Sequence, residues 1–301
     1  MHEMFKKAIA IVTGAASGFG FAISKKLLDY GAAAVWLMDF NALKLAEAQK
    51  QLNEEFPGRV FSKRVDISVK GEIEAAIDEA CRVSGRIDML FNNAGRPMTF
   101  PTSHINPDDF RKLVDLNYIG VAMGTLKVLP MMEKAGKGYV INAASMGGLL
   151  PFPYQAAYAS TKAAVISFTR CLAYEYDGTD IHFMQYSPTN VATNIFFAQQ
   201  AEEMRKAGKT EEEIAEAAKN TLPPEGALRL DDAIDILFEG IEKGETNIII
   251  GDDSKLYEMY CTNRQAFAEI ALEIGAKRRA FFNRALECAA LGLPPDVPFP
   301  G

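Results

Sequence analysis

The stretch Lys7-Ala-Ile-Ala-Ile-Val-Thr13, running on into Gly14-Ala-Ala-Ser17-Gly18-Phe19-Gly20, decides how this chain folds. Lys7 to Thr13 is a short β-branched run, the pattern of a strand buried on both faces of a parallel sheet. It breaks into glycines, and a helical pattern follows at once through Phe21, Ile23, Ser24, Leu27 and Leu28, with Gly31 as its stop. A strand, a glycine turn and a helix N-terminus in that order make an anion site. The glycines let the backbone approach a pyrophosphate, and the helix amides point at it. Gly14, Ser17, Gly18, Phe19 and Gly20 are therefore expected at the phosphates of a dinucleotide. A bare glycine pattern carries little weight, but here it sits in the required context.

Working outward, Ala34-Val-Trp-Leu-Met38 reads as a second strand ending in Asp39. Asp39 follows Gly20 by about 20 residues, the spacing of an acid that binds the adenosine ribose. Its carboxylate accepts from ribose hydroxyls and repels a ribose phosphate. Phe40, Asn41, Ala42 and Leu43 bring no cation for such a phosphate, and Ala15, Ala16 and Ser17 are uncharged. The expected cofactor is NAD, not NADP. Asp39 as the N-cap of the next helix is a compatible reading. A third strand, Val60 to Val65, leads into Asp66-Ile67-Ser68. Asp66 is expected at the adenine beside Ile67, with Ser68 as the helix cap.

A fourth strand, Ile87 to Phe91, ends in Asn92-Asn93-Ala94-Gly95, small and amide residues suited to lie against a cofactor, or a simple turn. Asp108 to Met132 reads as one long helix containing Asn117, which is either buried with partners or functional. Gly138 to Ala144 is a fifth strand leading to Ser145, and Asp180 to Tyr186 a sixth ending at Ser187-Pro188-Thr189. Strand and helix alternate with short connections. The fold class is α/β, a single doubly wound Rossmann-type parallel sheet of about seven strands flanked by helices.

Tyr158-Ala-Ser-Thr-Lys162 lies in an Ala-rich segment free of Pro and Gly, so both side chains share one helix face. A lysine ammonium beside a phenol favours the phenolate and is expected to lower the tyrosine pKa from its usual ~10. Such a phenol takes a proton from an alcohol or returns one to a carbonyl. The alternative is an ordinary surface pair.

The bulk numbers bound the function. The chain has 301 residues, 49% of them hydrophobic and 24% charged, the profile of a soluble globular protein. A net charge of -7 argues against nucleic acid or an anionic membrane as partner. No stretch approaches a membrane span, and Lys6-Lys7 precede too short an apolar run for a signal peptide. Cys81, Cys171, Cys261 and Cys288 lie far apart, as in a reduced cytoplasmic protein. The histidines show no metal spacing, so no metal is expected.

Taken together, Thr13-Gly14-x-x-x-Gly18-x-Gly20, Asp66, Asn92-Asn93-Ala94-Gly95, Asn117, Ser145 and Tyr158-x-x-x-Lys162 resemble the short-chain dehydrogenase/reductase family, in its order. The resemblance implies an alcohol dehydrogenase or ketone reductase assembled as a homodimer or homotetramer. It implies Tyr158 as acid/base, Ser145 polarising the substrate oxygen, and Lys162 on the nicotinamide ribose. It implies Asn117 holding a water in a proton relay. Pro188, Val191 and Thr193 match the cofactor-side residues after the sixth strand. Thr189 departs from the family's glycine and is expected to narrow the site beside the nicotinamide.

Residues about 190–228 fall in the family's variable lid, where Thr210-x-x-Glu213 is a capping box. Ile195, Phe196 and Phe197 either face the substrate or pack the lid. With Ser145, Met146, Phe152, Gln155, Thr189 and Met184 nearby, the expected small-molecule substrate is a bulky, mainly apolar secondary alcohol or ketone. The dehydrogenase domain is expected over residues 1–252. Beyond Asn247-Ile-Ile-Ile-Gly251, the last strand, an apolar stripe of Leu256, Met259, Tyr260, Phe267, Ile270, Ala271 and Ile274 predicts a helical extension over 253–301 with a Pro-rich tail. Competing functions are a sugar-nucleotide epimerase or dehydratase, which also uses Tyr-x-x-x-Lys, and a non-catalytic NAD-binding protein.

Overall fold

β-branched and aliphatic residues in runs too short for helices build seven strands: β1 (Ile9–Thr13), β2 (Ala34–Asp39), β3 (Val60–Arg64), β4 (Met89–Asn92), β5 (Gly138–Ala143), β6 (Ile181–Pro188) and β7 (Asn247–Ile250). The computed structural model describes residues 2–192, 204, 208–219, 226–251 and 254–290. All seven strands are parallel in the order β3-β2-β1-β4-β5-β6-β7. The order reverses between β1 and β4. The crossovers therefore diverge there and open a crevice at the strands' C-terminal ends, where such sheets bind ligands.

Alternation along each strand divides the core. Ala10, Val12, Leu37, Phe91 and Tyr186 face helices α1 (Gly18–Asp29), α2 (Ala42–Glu55) and a late helix, Leu230–Glu242. Ile9, Ile11, Trp36, Leu90 and Phe183 face α3 (Glu72–Ser84) and the helices that follow it. β1 is buried along its whole length, as a central parallel strand must be.

Between β4 and β5 the expected long helix forms as one continuous run of three parts, the middle one π-helical. These are α4 (Pro107–Val114), a π-helical turn (Asp115–Ile119) and α5 (Gly120–Ala135). The π turn holds Asn117, whose buried amide is claimed from outside the helix. Its Nδ2 donates to the Arg96 carbonyl (2.9 Å) and to Thr161 Oγ1 (3.1 Å), while its Oδ1 accepts from the Arg96 amide (3.0 Å). Such a bulge commonly marks a functional position. Ser68 does not cap α3. Asp66 Oδ1 takes both its amide (3.0 Å) and its hydroxyl (2.6 Å), and α3 starts after Gly71 in a left-handed conformation.

The remaining helices are α6 (Met146–Leu149), α7 (Ala156–Glu175), α8 (Glu211–Lys219), α9 (Leu230–Glu242), α10 (Ser254–Thr262) and α11 (Arg264–Ala290). The capping box at α8 is present: Glu213 N donates to Thr210 Oγ1 (3.2 Å), and Thr210 N donates to Glu213 Oε2 (2.9 Å). The apolar stripe of α10 and α11 packs on α6, with Phe267 3% exposed against Met146 and Leu150.

Polar groups tie the C-terminal ends of β1, β4 and β6. Asn93 Nδ2 donates to the carbonyls of Thr13 (2.9 Å) and Gly14 (3.3 Å). Its Oδ1 accepts from the hydroxyl of Tyr186 (2.7 Å), which is 1% exposed. Thr13 Oγ1 accepts from the amides of Asn93 and Ala94, each at 3.0 Å. Tyr186→Phe preserves the ring packing but strands the Asn93 oxygen. Since an unpartnered buried acceptor costs about 1–3 kcal/mol, denaturant unfolding should show a loss of that size with an unchanged m-value. Wild-type stability would show that the bond contributes nothing.

Candidate active site

The glycine turn closes on contacts that only glycine permits. A Cβ at Gly14, whose φ is +65°, would lie 2.9 Å from Ala94 Cα. A Cβ at Gly20 would overlap the Gly14 carbonyl oxygen, so α1 seats against the turn only without a side chain. Ser17 is the N-cap of α1 yet makes no side-chain capping bond, which leaves the first-turn amides beside Gly18 and Phe19 available to an anion. Phe19 stacks on Tyr186 at 5.8 Å between centroids.

At the end of β2, Asp39 Oδ2 accepts from Ala16 N (3.1 Å) and Oδ1 from Asn41 N (2.9 Å). Asn41, not Asp39, caps α2, accepting from Lys44 N. Burial raises the Asp39 pKa, against the amides that hold its charged form. Arg64, across from Asp39 in β3, is held by Glu72 at 3.0 Å. Asp66 and Ile67 follow β3, and Ile67 packs against Gly120 at the start of α5. These backbone approaches, unshielded amides and terminal carboxylate fit a nicotinamide dinucleotide.

The reactive side chains meet beyond the ends of β4 and β5. Ser145 follows β5 and caps α6, its Oγ accepting from Gly147 N at 3.1 Å. Tyr158, on the first turn of α7, faces the Ser145 hydroxyl across Gly147. One turn on, Lys162 is 4% exposed and donates through Nζ to the Ala143 carbonyl at 2.8 Å. Its Nζ lies 6.0 Å from the Tyr158 ring centroid. A Cβ at Gly95 would stand 3.2 Å from Lys162 Nζ and 3.1 Å from Asn117 Oδ1, so these groups surround one small residue. Asn117 reaches Lys162 through its neighbours, bonding Thr161 and Arg96, the residues that adjoin Lys162 and Gly95.

The electrostatics correct one expectation. Lys162 does not hold Tyr158 below its ordinary pKa. Burial pushes the phenol up, and the neighbouring Ser145 hydroxyl only partly opposes this. The amine itself is pushed down to about 8 by burial. Desolvation, which disfavours the charged form, is the largest influence on each of the two groups.

Gln155 precedes α7, and its Nε2 donates to Thr99 Oγ1 at 3.2 Å. Sequence reasoning missed Gly147. A Cβ there would stand 3.2 Å from Gln155 Oε1, 3.4 Å from Tyr158 Cε1 and 3.6 Å from Ser145 Oγ. Only its position two residues after Ser145 hinted at it. Met146 is 3% exposed and packs with Leu150 and Phe267. After Pro188, the Thr189 side chain leans over Gly251, where a Cβ would collide with it. Val191 is 3% exposed and bridges to Leu228. Thr193 and Phe196, with Ile195 and Phe197, lie outside the described residues.

The arrangement can pass a proton between Tyr158 and an oxygen held by Ser145, beside a dinucleotide on the glycine turn. Comparison with known proteins agrees. The short chain dehydrogenase family model matches residues 8–204. The 2-(R)-hydroxypropyl-CoM dehydrogenase of Xanthobacter autotrophicus is 34% identical over 188 residues, covering 62% of this chain and 75% of that one. The 3beta-hydroxysteroid dehydrogenase 2 of Eggerthella lenta is 31% identical over 218 residues, covering 72% and 83%. A short chain dehydrogenase/reductase from Burkholderia phymatum, solved in complex with NAD, superposes with a TM-score of 0.71 over 99% of each chain; at 24% identity it supports the fold alone. The chain belongs to the short-chain dehydrogenase family of oxidoreductases acting on alcohols and ketones.

Proposed function

We propose that this protein is an NAD-dependent dehydrogenase/reductase of a bulky, mainly apolar secondary alcohol or ketone, with Tyr158 as its acid/base. The observation that carries this reading is the Tyr158 ring facing the Ser145 hydroxyl across Gly147, one helical turn from the buried Lys162 amine. A bound nicotinamide supplies the hydride chemistry. The chain's residues position the oxygen and move its proton. Ser145 Oγ accepts from Gly147 N, which leaves its own hydrogen to donate to a substrate oxygen. Tyr158 then gives that oxygen a proton in reduction, or takes one in oxidation.

Lys162 offers a donor beside Gly95, where a ribose would rest, and Asn117 fixes the backbone on both sides of it. NAD is favoured over NADP by the Asp39 carboxylate and by Glu72, which occupies the nearest strand cation, Arg64. An apolar substrate is supported by the aromatic and aliphatic surroundings of Ser145 and by similarity to a hydroxysteroid dehydrogenase. A homodimer or homotetramer is supported by Phe110, Ile119 and Leu126 of α4–α5, which are 37%, 40% and 48% exposed.

NADH absorbance across a panel of secondary alcohols tests the reading, with no turnover on any as the failing result. Tyr158→Phe retains the ring and should lower kcat by ~10² or more while NADH fluorescence titration shows binding intact; near-normal kcat would remove Tyr158 from the role. The raised tyrosine pKa sets the pH dependence. At neutral pH Tyr158 is protonated, so ketone reduction should hold steady through neutrality and fall on the alkaline side. Alcohol oxidation needs the phenolate and should climb as pH rises. Stopped-flow hydride transfer reads both limbs, and an oxidation rate that falls with pH would contradict the assignment. For the cofactor, kcat/KM should favour NAD, and Asp39→Ser should narrow the gap. A wild-type preference for NADP would overturn that choice.

A further inference from the structure

We propose that α11 is a positioning clamp on the substrate side, with Arg278 and Phe282 holding Tyr154 in a left-handed conformation that sets Gln155 over Ser145 and Tyr158. This rests on the functional reading above. Tyr154 has φ +67°, a region that L-residues with a Cβ rarely occupy. A strained residue persists only where its surroundings over-determine it, and such residues cluster at functional sites.

The surroundings here are supplied by the far end of the chain. Arg278 is 6% exposed and donates through Nη1 to the Pro153 carbonyl at 2.8 Å. Phe282 is 7% exposed and stacks on Tyr154 at 5.2 Å and 22°. The same ring meets Phe100 edge-on at 5.8 Å, and Phe100 N donates to the Tyr154 carbonyl at 2.8 Å. One turn before Arg278, Gly275 lets the Pro153 ring approach, since a Cβ there would lie 3.2 Å from Pro153 Cγ. Pro153 and Tyr154 are thus held on the carbonyl of each and on the Tyr154 ring.

The next residue is Gln155. Its Nε2 is tied to Thr99, one residue before Phe100. Its Oε1 looks onto Gly147, the small residue that also faces Tyr158 and Ser145. The clamp therefore fixes both ends of the path to this carboxamide, the backbone at Tyr154 and the loop carrying Thr99 and Phe100. Arg278 and Phe282 do not themselves reach the reacting groups. They act through Tyr154, so the effect falls on substrate binding and leaves the nucleotide turn, built from β1 and α1, as it is.

The test uses the full chain and two variants, Arg278→Ala and Arg278→Lys, the second retaining a donor. Without nucleotide, hydrogen–deuterium exchange should speed up about tenfold or more in peptides spanning 97–104 and 151–157 of the Ala variant. Lys should restore most of the protection. NADH affinity by fluorescence should stay within about twofold of wild type. KM for the best alcohol of the panel should rise about tenfold, with a smaller change in kcat. Wild-type exchange in the Ala variant would overturn the clamp, as would faster exchange with an unchanged KM. Loss of NADH affinity together with faster exchange across β1 and α1 would show a merely structural role and also overturn it. If the wild type turns over no alcohol, the functional reading fails, while the exchange and NADH measurements still decide the clamp.

Discussion

A lysine amine taken almost wholly out of water governs this architecture. Lys162 is 4% exposed, and burial brings its pKa from 10.5 to about 8, a cost on the order of 3 kcal/mol at 1.36 kcal/mol per unit. The folded protein binds that proton less tightly than the unfolded chain. The penalty is therefore complete below pH 8 and fades as pH rises from about 8 to 10.5. What offsets it is backbone: the Ala143 carbonyl at the end of β5 accepts from the amine. Three elements must end at the right level to enclose it, β4 with Gly95, β5 with Ala143, and the π turn with Asn117. A regular helix through Asn117 would advance its side chain differently, and the bulge is where that register is adjusted.

The half of the site that binds nucleotide was legible in the sequence because backbone approach demands glycine. Glycine at Gly14 and Gly20 is dictated by a positive φ and a collision, and a carboxylate at the end of β2 follows from the strand that precedes it. The parallel sheet was legible for a related reason. Strands buried on both faces must be apolar, and β1 and β2 are so up to their last residues, Thr13 and Asp39. What escaped the reading depends on which of several available partners a side chain takes, most often one remote in sequence. Tyr186 looks like one more aromatic in a strand until its hydroxyl is seen on Asn93. Ser68 looks like a helix cap until Asp66 takes both its donors. The direction of the Tyr158 shift could not be read from an i, i+4 spacing, since it is set by how much water the whole fold excludes.

The substrate side illustrates this most fully. Tyr154 has nothing in its neighbours that announces a left-handed backbone. The cause lies in Arg278 and Phe282, more than a hundred residues on. Side chains, not backbone approach, build this wall, so it can vary in shape while the glycine turn and the Lys162 enclosure stay fixed.

The two halves meet at the ends of β6 and β7. Thr189 departs from the small residue expected there, and its side chain needs room. Gly251 provides it, lacking a Cβ where one would strike Thr189 and taking φ +116°, which an L-side chain would resist. Thr189 N also donates to the Ile250 carbonyl at 3.0 Å, so the two strand ends are locked side by side. Gly251 follows the last residue of β7, at the sheet end that carries Thr189. A side chain at 251 would therefore be opposed twice, by its own backbone and by the Thr189 side chain it would displace.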